Sequence, residues 1–140
     1  MKLMKYTAIA STLATTLLYS QATLADVSAN VGMVSEYHFR GVAQTTDASA
    51  SAGLDYENNG FYLGTWVGDV NDGLEIDFYG GYGFDLSEEL SASVGFTTYQ
   101  YTGDFDSEYN EVNLGLSYGI LAVDYAIGTR EDEFLSKRVY

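Results

Sequence analysis

The 140-residue chain holds six Lys/Arg against 20 Asp/Glu, a formal net charge of −14, and contains neither Cys nor Pro. That charge excludes nucleic-acid binding through bulk electrostatics, and the missing Cys excludes a disulfide framework and any thiolate metal site. The 13 Tyr and seven Phe argue against the disorder that acidic excess alone would suggest, because aromatic side chains bury area and favour strands.

Met1-Lys2-Leu3-Met4-Lys5 carries two positive charges, residues 6–18 carry none, and Ala22-Thr23-Leu24-Ala25 ends the stretch in small residues. This is the pattern of an export signal, with cleavage expected after Ala25, and the uncharged stretch is short for a membrane-spanning helix. Residues 26–140 would then be the mature domain. They keep four Lys/Arg and all twenty acids, a net charge of −16.

From Val27 onward, apolar and polar residues alternate in seven runs. In the first, Val27, Ala29, Val31, Met33, Ser35, Tyr37 and Phe39 face one way. Ser28, Asn30, Gly32, Val34, Glu36, His38 and Arg40 face the other. After a break at residues 41–46, Ala48, Ala50, Ala52, Leu54 and Tyr56 stand opposite Asp47, Ser49, Ser51, Gly53 and Asp55, and residues 57–60 predict a tight turn because Asn and Gly accept positive φ. The third run, residues 61–68, is the least clear, with aromatic residues on both faces. The fourth sets Leu74, Ile76, Phe78, Gly80, Tyr82 and Phe84 against Glu75, Asp77, Tyr79, Gly81 and Gly83. The fifth begins at Leu90 and loses its phase around residues 98–101, where a bulge or an exit from the membrane is expected. The sixth has Val112, Leu114, Leu116 and Tyr118 opposite Glu111, Asn113, Gly115 and Ser117. The seventh has Leu121, Val123, Tyr125 and Ile127 opposite Ala122, Asp124, Ala126, Gly128 and Arg130.

Strands with one apolar and one polar face, free of Pro, predict an all-β, antiparallel, up-and-down transmembrane β-barrel, because lipid admits only strands whose backbone bonds close on one another. Aromatic residues at strand ends suggest two girdles, one of Tyr56, Phe61, Tyr82, Phe84 and Tyr118, the other of Tyr37, Phe39, Tyr99, Tyr101 and Tyr109. The polar face would line the lumen with Glu36, His38, Arg40, Asp47, Asp55, Glu75, Asp77, Glu111, Asp124 and Arg130. Such an acidic lining predicts a cation-preferring pore for small solutes.

Ser35, Tyr37, Phe39, Arg40, Gly41, Gln44 and Thr45 compose a Ser-x-Tyr-x-Phe-Arg-Gly-x-x-Gln-Thr stretch. It resembles the N-terminal signature of the TorF-type porins, bacterial outer-membrane proteins of unknown function. Residues 79–82 and 95–99 are similar to further elements of that family. The resemblance implies an outer-membrane porin, with lipid and lipopolysaccharide as surroundings and small solutes as cargo. Members of that family look longer, residues 130–140 do not alternate, and seven strands fall below the smallest single-chain bacterial barrels. The expectation is therefore the N-terminal part of a larger barrel, or one completed by further subunits.

No enzyme is expected. The single His38 lies beside Glu36 and Arg40 without a nucleophile in reach, which reads as a row of lumenal charges. The alternate acids at residues 69–73 and 104–108 offer too few oxygens for Ca²⁺, so neither metal nor cofactor is expected. Two other readings compete with the pore: a non-conducting barrel whose interior is filled by side chains, and a soluble exported β-sandwich.

Overall fold

All seven alternating runs form strands, and every pairing between neighbours is antiparallel. The computed structural model describes residues 16–24, 26–130 and 138–139, with side chains from residue 26 to residue 129. In chain order the strands are β1 (Thr16–Leu24), β2 (Val27–Val34), β3 (His38–Phe39), β4 (Val42–Ala43), β5 (Ser49–Asn58) and β6 (Phe61–Val70). They continue with β7 (Gly73–Asp85), β8 (Leu90–Thr102), β9 (Tyr109–Tyr118), β10 (Leu121–Arg130) and β11 (Arg138–Val139). One sheet runs β1-β2-β5-β6-β7-β8-β9-β10-β11, so sequence neighbours are sheet neighbours, the up-and-down order expected. Among the described residues its edge strands β1 and β11 do not pair, and the sheet is open.

Of the stretch read as an export signal, residues 1–15 and the cleavage position Ala25 lie outside the described residues. Residues Thr16–Leu24 pair with β2, from Leu24↔Val27 to Thr16↔Val34. An unpaired strand edge templates any extended segment tethered beside it. Cleavage after Ala25 would return β2 to the edge of the sheet.

The distribution of side chains is that of a soluble domain turned inside out. Leu63 is 64% exposed and Val123 67%, whereas the largest fully buried side chains are Glu75 at 1% and Glu111 at 0%. The register explains this. Leu54, Thr65 and Phe78 pair across β5, β6 and β7, and Phe96 pairs with Val112, all on one outer face. Among the described residues no second sheet covers that face. At one end of the sheet three of the five residues of the first expected girdle meet ring to ring, Phe61 with Tyr82 at 4.7 Å and Tyr82 with Phe84 at 6.0 Å.

Three expectations are corrected. The first run is not one long strand: β2 stops at Val34, and residues 35–48 leave the sheet and fold a small hairpin of their own, β3 and β4. Its two-residue turn is Arg40 (φ 49°) and Gly41 (φ 81°), the left-handed pair that a type I′ turn needs. The phase of the fifth run is not lost either. Its pairing with β7 continues without a shift from Asp85↔Ser91 to Leu74↔Thr102, so Tyr99 and Tyr101 stay on the inner face with Ser91 and Thr97. What changes at residue 98 is chemistry, since polar Thr98 and Gln100 take the outer positions. Finally, the second girdle does not form. Tyr37, Tyr99 and Tyr109 are buried, turned inward among acids.

Tight turns hold the register. Asn59 (φ 49°) and Gly60 (φ 87°) connect β5 to β6, and a Cβ on Gly60 would meet the Gly83 carbonyl oxygen and the Tyr82 ring. A Cβ on Gly41 would meet nothing within 4 Å. Gly41→Ala should therefore cost only backbone strain, about 1 kcal/mol, and Gly60→Ala clearly more. Urea unfolding followed by fluorescence of Trp66, the single tryptophan, checks the order of the two.

Candidate functional site

The inner face of the sheet carries a cluster of acids and tyrosines at the end where residues 35–48, 71–72 and 103–108 connect the strands. Period-2 geometry puts Glu75 and Asp77 on one face of β7, Tyr99 and Tyr101 on the same face of β8, and Tyr109 and Glu111 on that of β9. The register then sets Glu75 beside Tyr101, Asp77 beside Tyr99, and Tyr99 beside Tyr109, whose rings stack at 4.3 Å.

Over this cluster lies the 35–48 segment. In a flat sheet β2 and β9 would stand five spacings apart, about 24 Å, and the hairpin bridges that width with two side chains. The Tyr37 hydroxyl donates to Glu75 Oε1 at 2.8 Å, while the Tyr101 hydroxyl donates to Oε2 at 2.8 Å. The guanidinium of Arg40 donates twice to Glu111, at 2.6 and 2.8 Å, and the Tyr99 hydroxyl donates to the same carboxylate at 3.1 Å. Tyr37 packs its ring on Trp66 at 5.5 Å, and Phe39 lies 5.7 Å from Tyr99. Buried carboxylates need such donors, because each would otherwise carry its full desolvation penalty.

Local bonds shape the segment itself. Backbone N–H groups of Gln44 and Thr45 donate to the Tyr37 carbonyl, and the Tyr37 N–H donates to Thr45 Oγ1 at 2.8 Å. Asn71 accepts from the Thr46 N–H at 3.0 Å, and its own N–H donates to the Gln44 carbonyl at 2.9 Å. The family-like residues Tyr37, Phe39, Arg40, Gly41, Gln44 and Thr45 thus build and dock one hairpin. Ser35 stands exposed at its entrance.

Electrostatics follow from burial. The Tyr37 phenol is pushed above its ordinary value by burial and by the negative charge of Glu75. Arg40 is held still more firmly protonated by its hydrogen bonds to Glu111, against the opposing effect of desolvation. Arg40 is also the only Lys or Arg between residues 6 and 129. Among the described residues, Asp77 Oδ1 is buried without a hydrogen-bond partner.

Of the residues expected to line a lumen, the structure brings Arg40, Glu75, Asp77 and Glu111 together. Asp55 shares their face and accepts a hydrogen bond from the Tyr79 hydroxyl, one register layer below. Asp124 lies on the same face of β10, exposed. Glu36 and His38 pair with each other at 3.6 Å on the half-exposed hairpin rather than continuing a strand row, and Asp47 is exposed. Arg130 has its side chain outside the described residues. The tyrosines Tyr99, Tyr101 and Tyr109 belong to the site and were expected at a membrane boundary instead, while Gln44 and Thr45, expected only as motif residues, are buried beside it. Unbroken parity from Ser91 onward is the signal that would have found the first two.

A family model described as "Bacterial protein of unknown function (Gcw_chp)" matches residues 20–137. No curated protein and no solved structure matches the chain.

Tyr37→Phe removes one of two donors to a buried carboxylate and should cost about 1–3 kcal/mol. Arg40→Met strands Glu111 and should cost about 2–4 kcal/mol, and adding Glu111→Met should restore part of the loss, because both charges then leave together. Urea titrations of the three variants decide this, and additive losses in the double variant would contradict the pairing.

Proposed function

The chain belongs to the Gcw_chp family of bacterial proteins of unknown function, and we propose that it is an outer-membrane β-barrel protein of the TorF-type porin kind, passing small solutes by diffusion with a preference for cations. The observation that carries this reading is the inversion of its faces. Aliphatic side chains are exposed in rows along seven strands while two glutamates are the largest buried side chains. Water on the apolar face would leave exposed hydrophobic side chains on seven neighbouring strands uncovered, whereas soluble monomers rarely expose contiguous apolar patches larger than a few hundred Å². Acyl chains on that face and water on the other satisfy both.

Cation preference rests on the inner face. Asp55, Glu75, Asp77, Glu111 and Asp124 lie there against the guanidinium of Arg40, the one Lys or Arg among the described side chains, so an acidic lining attracts cations into any water-filled passage. The docked hairpin of residues 35–48 narrows that passage at one end. This favours a second reading, a barrel packed shut by its own hairpin that conducts nothing. The aromatic ring cluster of Phe61, Tyr82 and Phe84 at the opposite end suits a headgroup boundary.

Two measurements separate the readings. In planar bilayers under a salt gradient, the protein should conduct with a reversal potential of cation-selective sign; no current would favour the packed barrel, and anion selectivity would overturn the assignment of the lining. Leu114→Arg, at mid-strand on the outer face, should destabilise the protein in lipid by about 2–4 kcal/mol. The inward Asn113→Arg should cost much less. Equal effects would mean that both faces meet the same solvent.

A further inference from the structure

The Arg40–Glu111 contact has two unlike halves. Glu111 is wholly buried and stands on β9 beside the stacked rings of Tyr99 and Tyr109, all held by the continuous β8–β9 register. Arg40 comes from the hairpin turn, and its side chain is 42% exposed. Receptor groups are therefore fixed by the sheet, whereas the guest arrives on a peripheral turn. If the guest departs, the receptor keeps its shape.

That shape is selective. A carboxylate that offers both oxygens to a planar fork of donors matches guanidinium rather than ammonium, which is a point charge and cannot bond bidentately. Phe39, with its ring 4.6 Å from the Arg40 guanidinium carbon, adds a cation–π face from the hairpin side. Spare acceptor capacity lies next to it. Asp77 Oδ1 is buried with no hydrogen-bond partner among the described residues, and Asp77 is in register with Tyr99, whose hydroxyl reaches Glu111. Among the described residues the guanidinium of Arg40 pairs with Glu111 alone of the three acids, while Glu75 is held by the hydroxyls of Tyr37 and Tyr101.

We propose that the Glu111–Tyr99–Tyr109 cleft is a recognition site for guanidinium-bearing solutes, with Arg40 as its tethered internal occupant and Asp77 as the acceptor for a second amino group on the solute. The site rests on the pore reading for the solute's route to it, while its occupancy is measurable on folded protein without any current. A solute that takes the place of Arg40 frees the hairpin turn, so binding and opening of the passage are coupled.

The test uses the full-length chain folded in detergent micelles, with Arg40→Ala to vacate the cleft. Thermal unfolding followed by Trp66 fluorescence is compared at equal concentrations of agmatine, which carries a guanidinium and an amine, methylguanidinium, methylammonium and urea. Agmatine and methylguanidinium should raise the melting temperature of the variant, agmatine should bind about tenfold more tightly than methylammonium, and neutral urea should not stabilise. The wild type should respond more weakly, because Arg40 competes. Adding Glu111→Gln should abolish the shift, and adding Asp77→Asn should reduce agmatine to the level of methylguanidinium. If Arg40→Ala folds poorly, refolding yield with and without agmatine gives the same comparison. Equal shifts from methylammonium and methylguanidinium, a shift that survives Glu111→Gln, or no shift and no gain in yield would each overturn the site. Absence of current with a specific agmatine shift would overturn the pore alone.

Discussion

Successive side chains of a strand point to opposite faces, and in this chain the two faces require opposite solvents. One face presents Leu, Val, Phe and Ile on strand after strand; the other presents Ser, Gly, Asn and carboxylates. Neither face can be exchanged for the other without a one-residue slip that would move every side chain across the sheet. The register therefore does more than align backbone bonds. It sorts acids to the inside and hydrocarbon to the outside, and the rest of the architecture follows from that sorting.

An inner face rich in carboxylates must find donors. The sheet supplies some of them from its own tyrosines, as where Tyr101 reaches Glu75 and Tyr79 reaches Asp55. Positive charge is scarcer, since Arg40 is the only Lys or Arg between residues 6 and 129. The 35–48 segment delivers that charge to Glu111 from the far side of the sheet and, three residues earlier, delivers the Tyr37 hydroxyl to Glu75. A type I′ turn at Arg40-Gly41 makes this delivery possible by reversing the chain where the guanidinium must point inward. Fold and proposed function meet in this hairpin, which both completes the acid cluster and narrows the proposed passage.

The seven strands, the orientation of most of their side chains and the Asn59-Gly60 turn were legible in the sequence because each rests on a local rule, period-2 alternation or tolerance of positive φ. The end of β2 was not. Residues 35–40 alternate as well as residues 27–34, and only tertiary contacts decide that Tyr37 and Arg40 fold back over the sheet instead of extending it. Tyr99 and Tyr101 misled for another reason. Composition suggests that aromatic residues near a strand end face a membrane boundary, whereas their parity with Ser91 and Thr97 places them inside beside Glu75 and Asp77. Where residue type and parity disagreed, parity was the better guide, because the ladder constrains direction more tightly than propensity constrains location. The meeting of Arg40 with Glu111, 71 residues apart, has no local signature at all.

The central claim is that hydrocarbon, not water or protein, covers the outer face. A tryptophan placed at Leu114, with Trp66 changed to Phe, can be examined in vesicles whose acyl chains carry bromine near the bilayer centre, a contact quencher of indole. Strong quenching at position 114 together with weak quenching of a tryptophan at the inward neighbour Asn113 is the result this account predicts. Equal quenching at the two positions, or none at Leu114, would contradict it.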